Sequence, residues 1–318
     1  MKHSMNPTPA NSAASAGAYA CSCEVVHVNN STYRSYKGRK SENRIMTARL
    51  SSLEDVIKPR GLGLKYVAEG QETYWVQGKR HSLRKGHFLL VNDTVGSFDV
   101  QIGDTPTHSV CIDMDVTLVN EQLRELLRPD ELDDGDHCSR FLFTSDLLVH
   151  GAPASMPLQQ GLHRVMLSSR GQVGAQPGVE LLYEIAALLV RENQGYIQSY
   201  YNLQTAKRST RQELYRRLLK GKEVLDSNLE ADISMQQVAK ECCLSESRFF
   251  RLFRQCFGES PYHYLLGRRV DYSVQLKQKG HTWADIATLL NFTDLAAFSN
   301  CFKKIKGVPP SKAPELFQ

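Results

Sequence analysis

Ser234-Met-Gln-Gln-Val-Ala-Lys-Glu-Cys-Cys-Leu-Ser-Glu-Ser-Arg-Phe-Phe-Arg-Leu-Phe-Arg-Gln-Cys-Phe-Gly258 spells a helix, a tight turn and a second helix. The same pattern returns in Thr282-Trp-Ala-Asp-Ile-Ala-Thr-Leu-Leu-Asn-Phe-Thr-Asp-Leu-Ala-Ala-Phe-Ser-Asn-Cys-Phe-Lys-Lys-Ile-Lys-Gly307. Val238-Ala239 aligns with Ile286-Ala287 at an offset of 48, and Phe249, Phe253, Gly258 and Pro261 align with Phe298, Phe302, Gly307 and Pro310 at 49. The one-residue insertion falls at the turn, where a loop absorbs it. A repeat of supersecondary size is read before any single motif, because it sets the architecture.

Local chemistry supports each boundary. Ser234 with Gln237 forms a capping box and Thr282 with Asp285 a similar cap, while Ser245 and either Thr293 or Asp294 open the second helices. The turns fall at Cys242-Cys243-Leu244 and Leu290-Asn291-Phe292. Asn tolerates the left-handed conformation such turns need, whereas Cys243 at the matching place is less comfortable. Ala239 and Ala287 keep the first helix small where the second must approach. Phe249, Leu252, Phe253 and Cys256 make one apolar stripe, and Phe298, Cys301, Phe302 and Ile305 another. Opposite the stripes stand Arg248, Arg251 and Arg254 in the first unit, and Ser299, Asn300 and Lys303 in the second. A helix with an apolar back and an Arg-rich front suits the DNA major groove, where Arg grips guanine N7 and O6 with two bonds. A solvated charged face is the plainer reading of one such helix, but two copies in register count against it.

Ser260-Pro261 starts a long linking helix, with Leu265, Leu266, Val270 and Leu276 on its apolar side, and Gly280 ends it. Eighteen residues span about 27 Å, approaching the ~34 Å of one DNA turn. Gly258-Glu-Ser-Pro-Tyr-His-Tyr-Leu-Leu-Gly-Arg-Arg269, Ile286-Ala, Asn291-Phe292, Phe298-Ser and Phe302-Lys-Lys-Ile-Lys-Gly-Val-Pro-Pro-Ser311 closely resemble the AraC/XylS class of transcription factors, over about residues 213–316. The resemblance implies base contacts from Ser247, Phe250 and Arg251 in the first recognition helix, and from Leu295, Ala296, Ser299 and Asn300 in the second. Arg248, Arg254 and Lys303 are then expected at phosphates, which position without specifying. Family members often carry Arg where Asn300 stands and polar residues where Leu295 and Ala296 stand. The first unit is therefore expected to supply most of the specificity, with thymine methyl contacts left to the second. Ser273 replaces a usual Ala, and Trp283 replaces an aliphatic residue and reads as core.

Upstream, the period changes to two. Leu62, Leu64 and Tyr66, Thr73–Val76, His87–Val91, Ser97–Ile102 and Ser109–Met114 read as short strands separated by Glu69-Gly70, Gln77-Gly78 and Lys85-Gly86, a sandwich or barrel pattern. It resembles the cupin-like β-barrel that many family members carry as a sensor. Tyr66, Tyr74 and Trp75 are candidates to line an effector site, although alternation forbids all three pointing inward. Apolar stripes at Val116, Val119, Leu123, Leu126 and Leu127, and at Leu181, Leu182, Ile185, Leu188 and Leu189, mark helices that either pack on the barrel or, as the family implies, form a dimer interface.

The expected whole is α+β: an N-terminal cupin-like β-barrel with packed helices, then an all-α DNA-binding domain with two helix-turn-helix units. Residues 1–40, rich in Ala, Ser, Asn and Pro, are expected as a disordered tail rather than an export signal; 41–175 as the cupin-like regulatory domain; 176–212 as a helical dimerisation and linker region; and 213–318 as the DNA-binding domain. Of the net charge of +5, residues 213–318 hold +4, from 16 Lys/Arg against 12 Asp/Glu, a modest excess on the expected phosphate-facing part. The longest apolar run, Ile185–Val190, is far short of a membrane span. The eight cysteines show neither disulfide-framework nor zinc spacing. His81 and His87 lie six apart, without a close His-x-His pair, so no metal, cofactor or catalytic site is expected. The expected protein is a cytoplasmic, non-enzymatic regulator, more an activator than a repressor by family habit. Its expected partners are double-stranded promoter DNA, RNA polymerase, a small-molecule effector or regulatory protein, and a second copy of itself. A cupin enzyme fused to a DNA-binding domain is the alternative from another class.

Overall fold

The strand-forming half builds two facing sheets. A computed structural model of the chain describes residues 23–36, 43–125, 152–168, 178–205 and 207–312. They fall into two compact units that meet in sequence near Val119/Asn120 and Leu188/Leu189. In the first, strands β1 (Glu24–Asn29), β2 (Arg44–Leu50), β9 (Thr107–Met114), β4 (Leu62–Glu69), β7 (His87–Asn92) and β10 (Ala152–Pro153) lie side by side in that order. Strands β3 (Leu53–Ile57), β8 (Phe98–Ile102), β5 (Gln71–Val76) and β6 (Lys79–Arg84) form the second sheet. All pairings are antiparallel except β1 with β2. The expected strands are present, with β1, β2, β3, β6 and β10 added. β1 means that the tail expected over 1–40 does not run to 40: Val26 and Val28 alternate with exposed neighbours and pair with Met46 and Ala48. Their β-branched side chains suit a half-buried strand.

β4 and β9 are buried on both faces, which is why they read as nearly continuous apolar runs. One face meets the smaller sheet, where the Thr107 hydroxyl donates to Glu72 Oε1 at 2.9 Å. The other, carrying Leu62, Leu64, Val110 and Ile112, needs a second cover. In the same unit, helix α3 (Met156–Ser168) and the start of α4 (Gly178–Glu192) bury Leu158, Leu162, Val165, Leu181, Leu182 and Ile185. These two helices pack closely at Gly161, where an added Cβ would sit 2.7 Å from Leu188 Cδ1. A short helix α1 (Tyr33–Tyr36) follows β1; of the expected stripe after Asp115, helix α2 (Val116–Arg124) holds Val116, Val119 and Leu123, and Leu126 and Leu127 lie outside the described residues.

The second unit is helical. α5 (Gln194–Asn202) and α6 (Arg208–Ser227) precede α7 (Met235–Glu241), α8 (Glu246–Phe257), α9 (Pro261–Gln278), α10 (Trp283–Leu289) and α11 (Leu295–Lys306). The two expected repeats are α7–α8 and α10–α11, joined by α9. The boundary expected at 213 falls inside α6. Gly221 of α6 lies so close to the first repeat that an added Cβ would sit 2.7 Å from Phe249 Cε2. Phe249, Phe253 and Cys256 fill one core, and Phe298, Phe302, Ile286 and Leu290 the other. Trp283 packs at 5.8 Å from Phe298 and 5.7 Å from Phe302, ring centre to ring centre, as its core reading required. Ile305 departs from the expected stripe: it is 42% exposed.

Candidate nucleic-acid interface

Each repeat begins with its cap. Ser234 Oγ accepts from the Gln237 N–H while the Gln237 side chain takes the Ser234 N–H, completing the capping box. Thr282 Oγ1 accepts from the Asp285 N–H at 3.1 Å. Asp294, not Thr293, caps α11, accepting from the Ala297 N–H at 2.6 Å. With Ser245 before α8 matched to Asp294 before α11, Thr293 is the inserted residue. Ser245 holds the cap position without a capping bond from its side chain.

The turns are the same device built twice. Cys243 and Asn291 both adopt left-handed backbone, at φ 52° and 56°. Leu244 N–H donates to Ala239 O and Cys243 N–H to Lys240 O, while Phe292 and Asn291 repeat the pair onto Ala287 and Thr288, satisfying helix-end carbonyls as a Schellman motif does. Each turn is also tied from outside: Arg217 donates to Cys243 O at 3.2 Å, and Asn291 Nδ2 to Glu230 O at 2.7 Å.

The loop before α7 is stitched to α9. Arg269, buried, donates through Nε to Leu229 O and through Nη2 to Ala231 O at 2.9 and 2.8 Å. Asp226 accepts from the Tyr264 hydroxyl and from Arg268 Nε, and the Tyr272 hydroxyl donates to Glu230. Burial and Asp226 together push the Tyr264 hydroxyl far above its ordinary pKa. Lys222 lies over the rings of Tyr196, Phe257 and Tyr264, between 4.9 and 5.9 Å from their centres. The sequence had placed the Arg268-Arg269 pair only within a family motif. Their role was readable in part, because Arg269 stands four residues from Leu265 and from Ser273 on the buried stripe of α9.

Against these committed side chains, the outer faces of the recognition helices stand apart. Arg248, Arg251 and Arg254 are exposed along α8, and among the described residues their side chains make no hydrogen bond or ion pair. Ser247 is exposed beside them, whereas Phe250 is half-buried with its ring edge-on to Phe249 at 6.4 Å. On α11, Leu295, Ala296, Asn300 and Lys303 are exposed and Ser299 half-buried. Expected base- and phosphate-contacting residues therefore share one outward face in each repeat, with Phe250 and Ser299 partly withdrawn from it.

The three aromatics offered as candidates for an effector site lie on different faces, as the alternation that barred all three from pointing inward requires. Tyr66 lies on the helix-covered face of the larger sheet, Tyr74 points between the sheets, and Trp75, its neighbour on β5, points to the outside of the smaller sheet. Strand alternation is the reason. Among the apolar side chains between the sheets lies a polar cluster: Lys65 and Arg44 both pair with Asp113, and Glu72 accepts from Tyr74 and Thr107. Among the described residues, no group of three or more His, Cys, Asp or Glu side chains is placed to hold a metal. No described helix is long and apolar enough to cross a membrane.

Comparison with known proteins places this geometry. Residues 238–314 match a family model described as a helix-turn-helix domain. Over 89 residues the chain is 27% identical to a probable transcriptional regulator, LumQ, of Photobacterium leiognathi, covering 28% of this chain and 36% of that one. Over 88 residues it is 35% identical to YidL, an uncharacterised HTH-type transcriptional regulator of Escherichia coli, covering 27% and 30%. The match thus spans about a third of the length of these relatives. Among solved structures, ToxT of Vibrio cholerae aligns over 87% of this chain and 98% of its own at 13% identity and a TM-score of 0.33, too loose a likeness to bear on function.

Proposed function

We propose that this chain, whose C-terminal third is a double helix-turn-helix domain of the AraC/XylS kind, is a sequence-specific DNA-binding transcriptional regulator. One observation carries the reading. Arg217, Arg268, Arg269 and Lys306 of the helical unit are spent on protein partners, while Arg248, Arg251, Arg254 and Lys303 project uncommitted from the two recognition helices. Side chains held at that spacing on an exposed helix face fit phosphates and base edges in the major groove. Ser247, Arg251, Leu295, Ala296, Ser299 and Asn300 are the proposed base contacts, with Phe250 reaching a base by its exposed edge. Arg248, Arg254 and Lys303 are the proposed phosphate contacts.

The two-sheet unit is the proposed sensor, taking a small molecule or a regulatory protein, and Tyr74 is the one of the three candidate aromatics that faces its interior. The chain acts in the cytoplasm without catalysis, as an activator that contacts RNA polymerase beside a promoter and pairs with a second copy.

Selection of bound duplexes from a random library by the full-length protein tests this. Two short enriched blocks about one helical turn apart are expected. Arg251→Ala should then cost about 1–3 kcal/mol and relax preference at one position, while Arg254→Ala weakens all sequences alike and flattens the salt dependence. Enrichment by residues 189–318 but not by the whole chain would mean that the sensor restrains the DNA-binding unit. Absence of enrichment by both would end the proposal.

A further inference from the structure

We infer that the second recognition helix reads A·T base pairs, Leu295 and Ala296 packing against thymine methyl groups while Asn300 bonds adenine. This rests on the DNA-binding reading above and names what each half of the site is made of. The two helices are superposable by sequence at an offset of 49, which sets Leu295, Ala296 and Asn300 where the first helix has Glu246, Ser247 and Arg251. In α8 those positions are polar; in α11 the opening turn presents hydrocarbon.

The opening turn of α11, Leu295-Ala-Ala-Phe298, has no polar side chain to offer. Asp294 is turned back onto the Ala297 N–H as the cap. Leu295 is 44% exposed, and Ala296 is exposed beside it. Leu295 is not part of the core of its repeat, which is closed by Phe298, Phe302, Ile286 and Leu290. One turn on, Asn300 is exposed, and among the described residues its amide has no partner. Lys303, exposed a turn further along the same face, is set for a phosphate, which favours DNA over a protein as the occupant.

The chemistry then selects the base. In the major groove thymine alone among the standard bases carries a methyl group, and apolar side chains contact it; adenine offers N7 and N6 to the two ends of one carboxamide. Arg251 at the matching place in α8 suits guanine instead. The two units therefore divide the site, a guanine-containing block for the first and an A·T block for the second.

The test uses the full chain and a duplex recovered by selection, with affinity read by fluorescence anisotropy. The block read by α11 is the one whose preference survives Arg251→Ala. Each thymine in that block is replaced by deoxyuridine, which removes the methyl and keeps the base pair. Wild type should lose roughly fourfold in affinity per contacted methyl, the equivalent of one buried methyl-sized group. Leu295→Ser, at an exposed position that leaves the melting profile unchanged, should bind more weakly and lose less than wild type on the same replacement, because only the methyl contact of Ala296 remains. Asn300→Ala should relax the preference for adenine in that block alone. Equal binding of thymine and deoxyuridine by wild type, or an equal loss in wild type and Leu295→Ser, would overturn the inference while leaving DNA binding intact. Failure to enrich any duplex would remove the DNA-binding reading and this inference with it.

Discussion

Cys243 holds a left-handed backbone that its counterpart Asn291 reaches more easily. The left-handed region costs an ordinary L residue about 1–2 kcal/mol, and glycine escapes that cost while adding unfolded-state entropy of about 0.5–1 kcal/mol. Cys243 is exposed, so no packing is lost on trimming it. Cys243→Gly should therefore stabilise the helical unit by up to ~1 kcal/mol, seen as a higher denaturant midpoint with an unchanged slope. Asp113 offers a second residue-scale test. Burial pushes its carboxyl up, but Lys65 and Arg44 overcome this and hold it below the ordinary carboxylate range. A folded value below the unfolded one, which is about 3.9 for Asp, means stabilisation that is complete above that pH and lost as pH falls through the folded value. Asp113→Asn, which leaves Lys65 buried beside a neutral group, should cost about 3 kcal/mol or more at neutral pH. The gap between variant and wild type, followed by circular dichroism in acid, should shrink below about pH 4.

At the scale of elements, the linker helix does more than set a distance. Its first half grips the loop before α7 through Arg269, and its last turn packs with the second repeat, where Lys277 Nζ lies 5.3 Å from the Trp283 ring centre. Ser273, read from sequence as a mild change, is fully buried and returns its hydroxyl to Val270 O at 2.6 Å, so the polar atom is satisfied within the helix. Arg269→Ala removes two charge-assisted bonds and leaves two carbonyls short of a donor. A loss of roughly 3 kcal/mol is expected, with DNA affinity falling for all sequences because the two repeats are no longer held in one disposition. Arg269→Lys, unable to reach both carbonyls with a rigid fork, should recover only part, as read by thermal melts of the two variants beside wild type.

At the scale of the whole molecule, the helical unit begins earlier than its repeats suggest. α5 lies against the first recognition helix: Asn202 donates to Cys256 O at 3.2 Å, and Cys256 Sγ donates to Ser199 O. The Tyr215 hydroxyl donates to Tyr196 O, and Arg211 lies over Tyr200 and Tyr201 at 5.5 Å. A fragment of residues 213–318 lacks α5 and Arg211, and uncovers Tyr215 and Cys256. It should melt at least about 5 °C below a 189–318 fragment, a shift worth roughly 1 kcal/mol for a domain of this size. Equal melting of the two would show α5 to be a passenger. The repeats, their caps, the two left-handed turns and the outward basic face were all legible from residues 234–307, because each depends on contacts a few residues apart and occurs twice. So was the strand-rich character of the first unit, since alternation is local. Three features came only with the tertiary structure. Alternation already barred Tyr66, Tyr74 and Trp75 from all pointing inward, but that Tyr74 is the one between the sheets was decided by strand pairing, which fixes the inner side of each sheet. Lys65 and Asp113 meet between the sheets from strands 48 residues apart in sequence. And α5 joins the DNA-binding unit because Tyr200, Tyr215 and Cys256 find each other in space, a pairing that no period along the chain encodes.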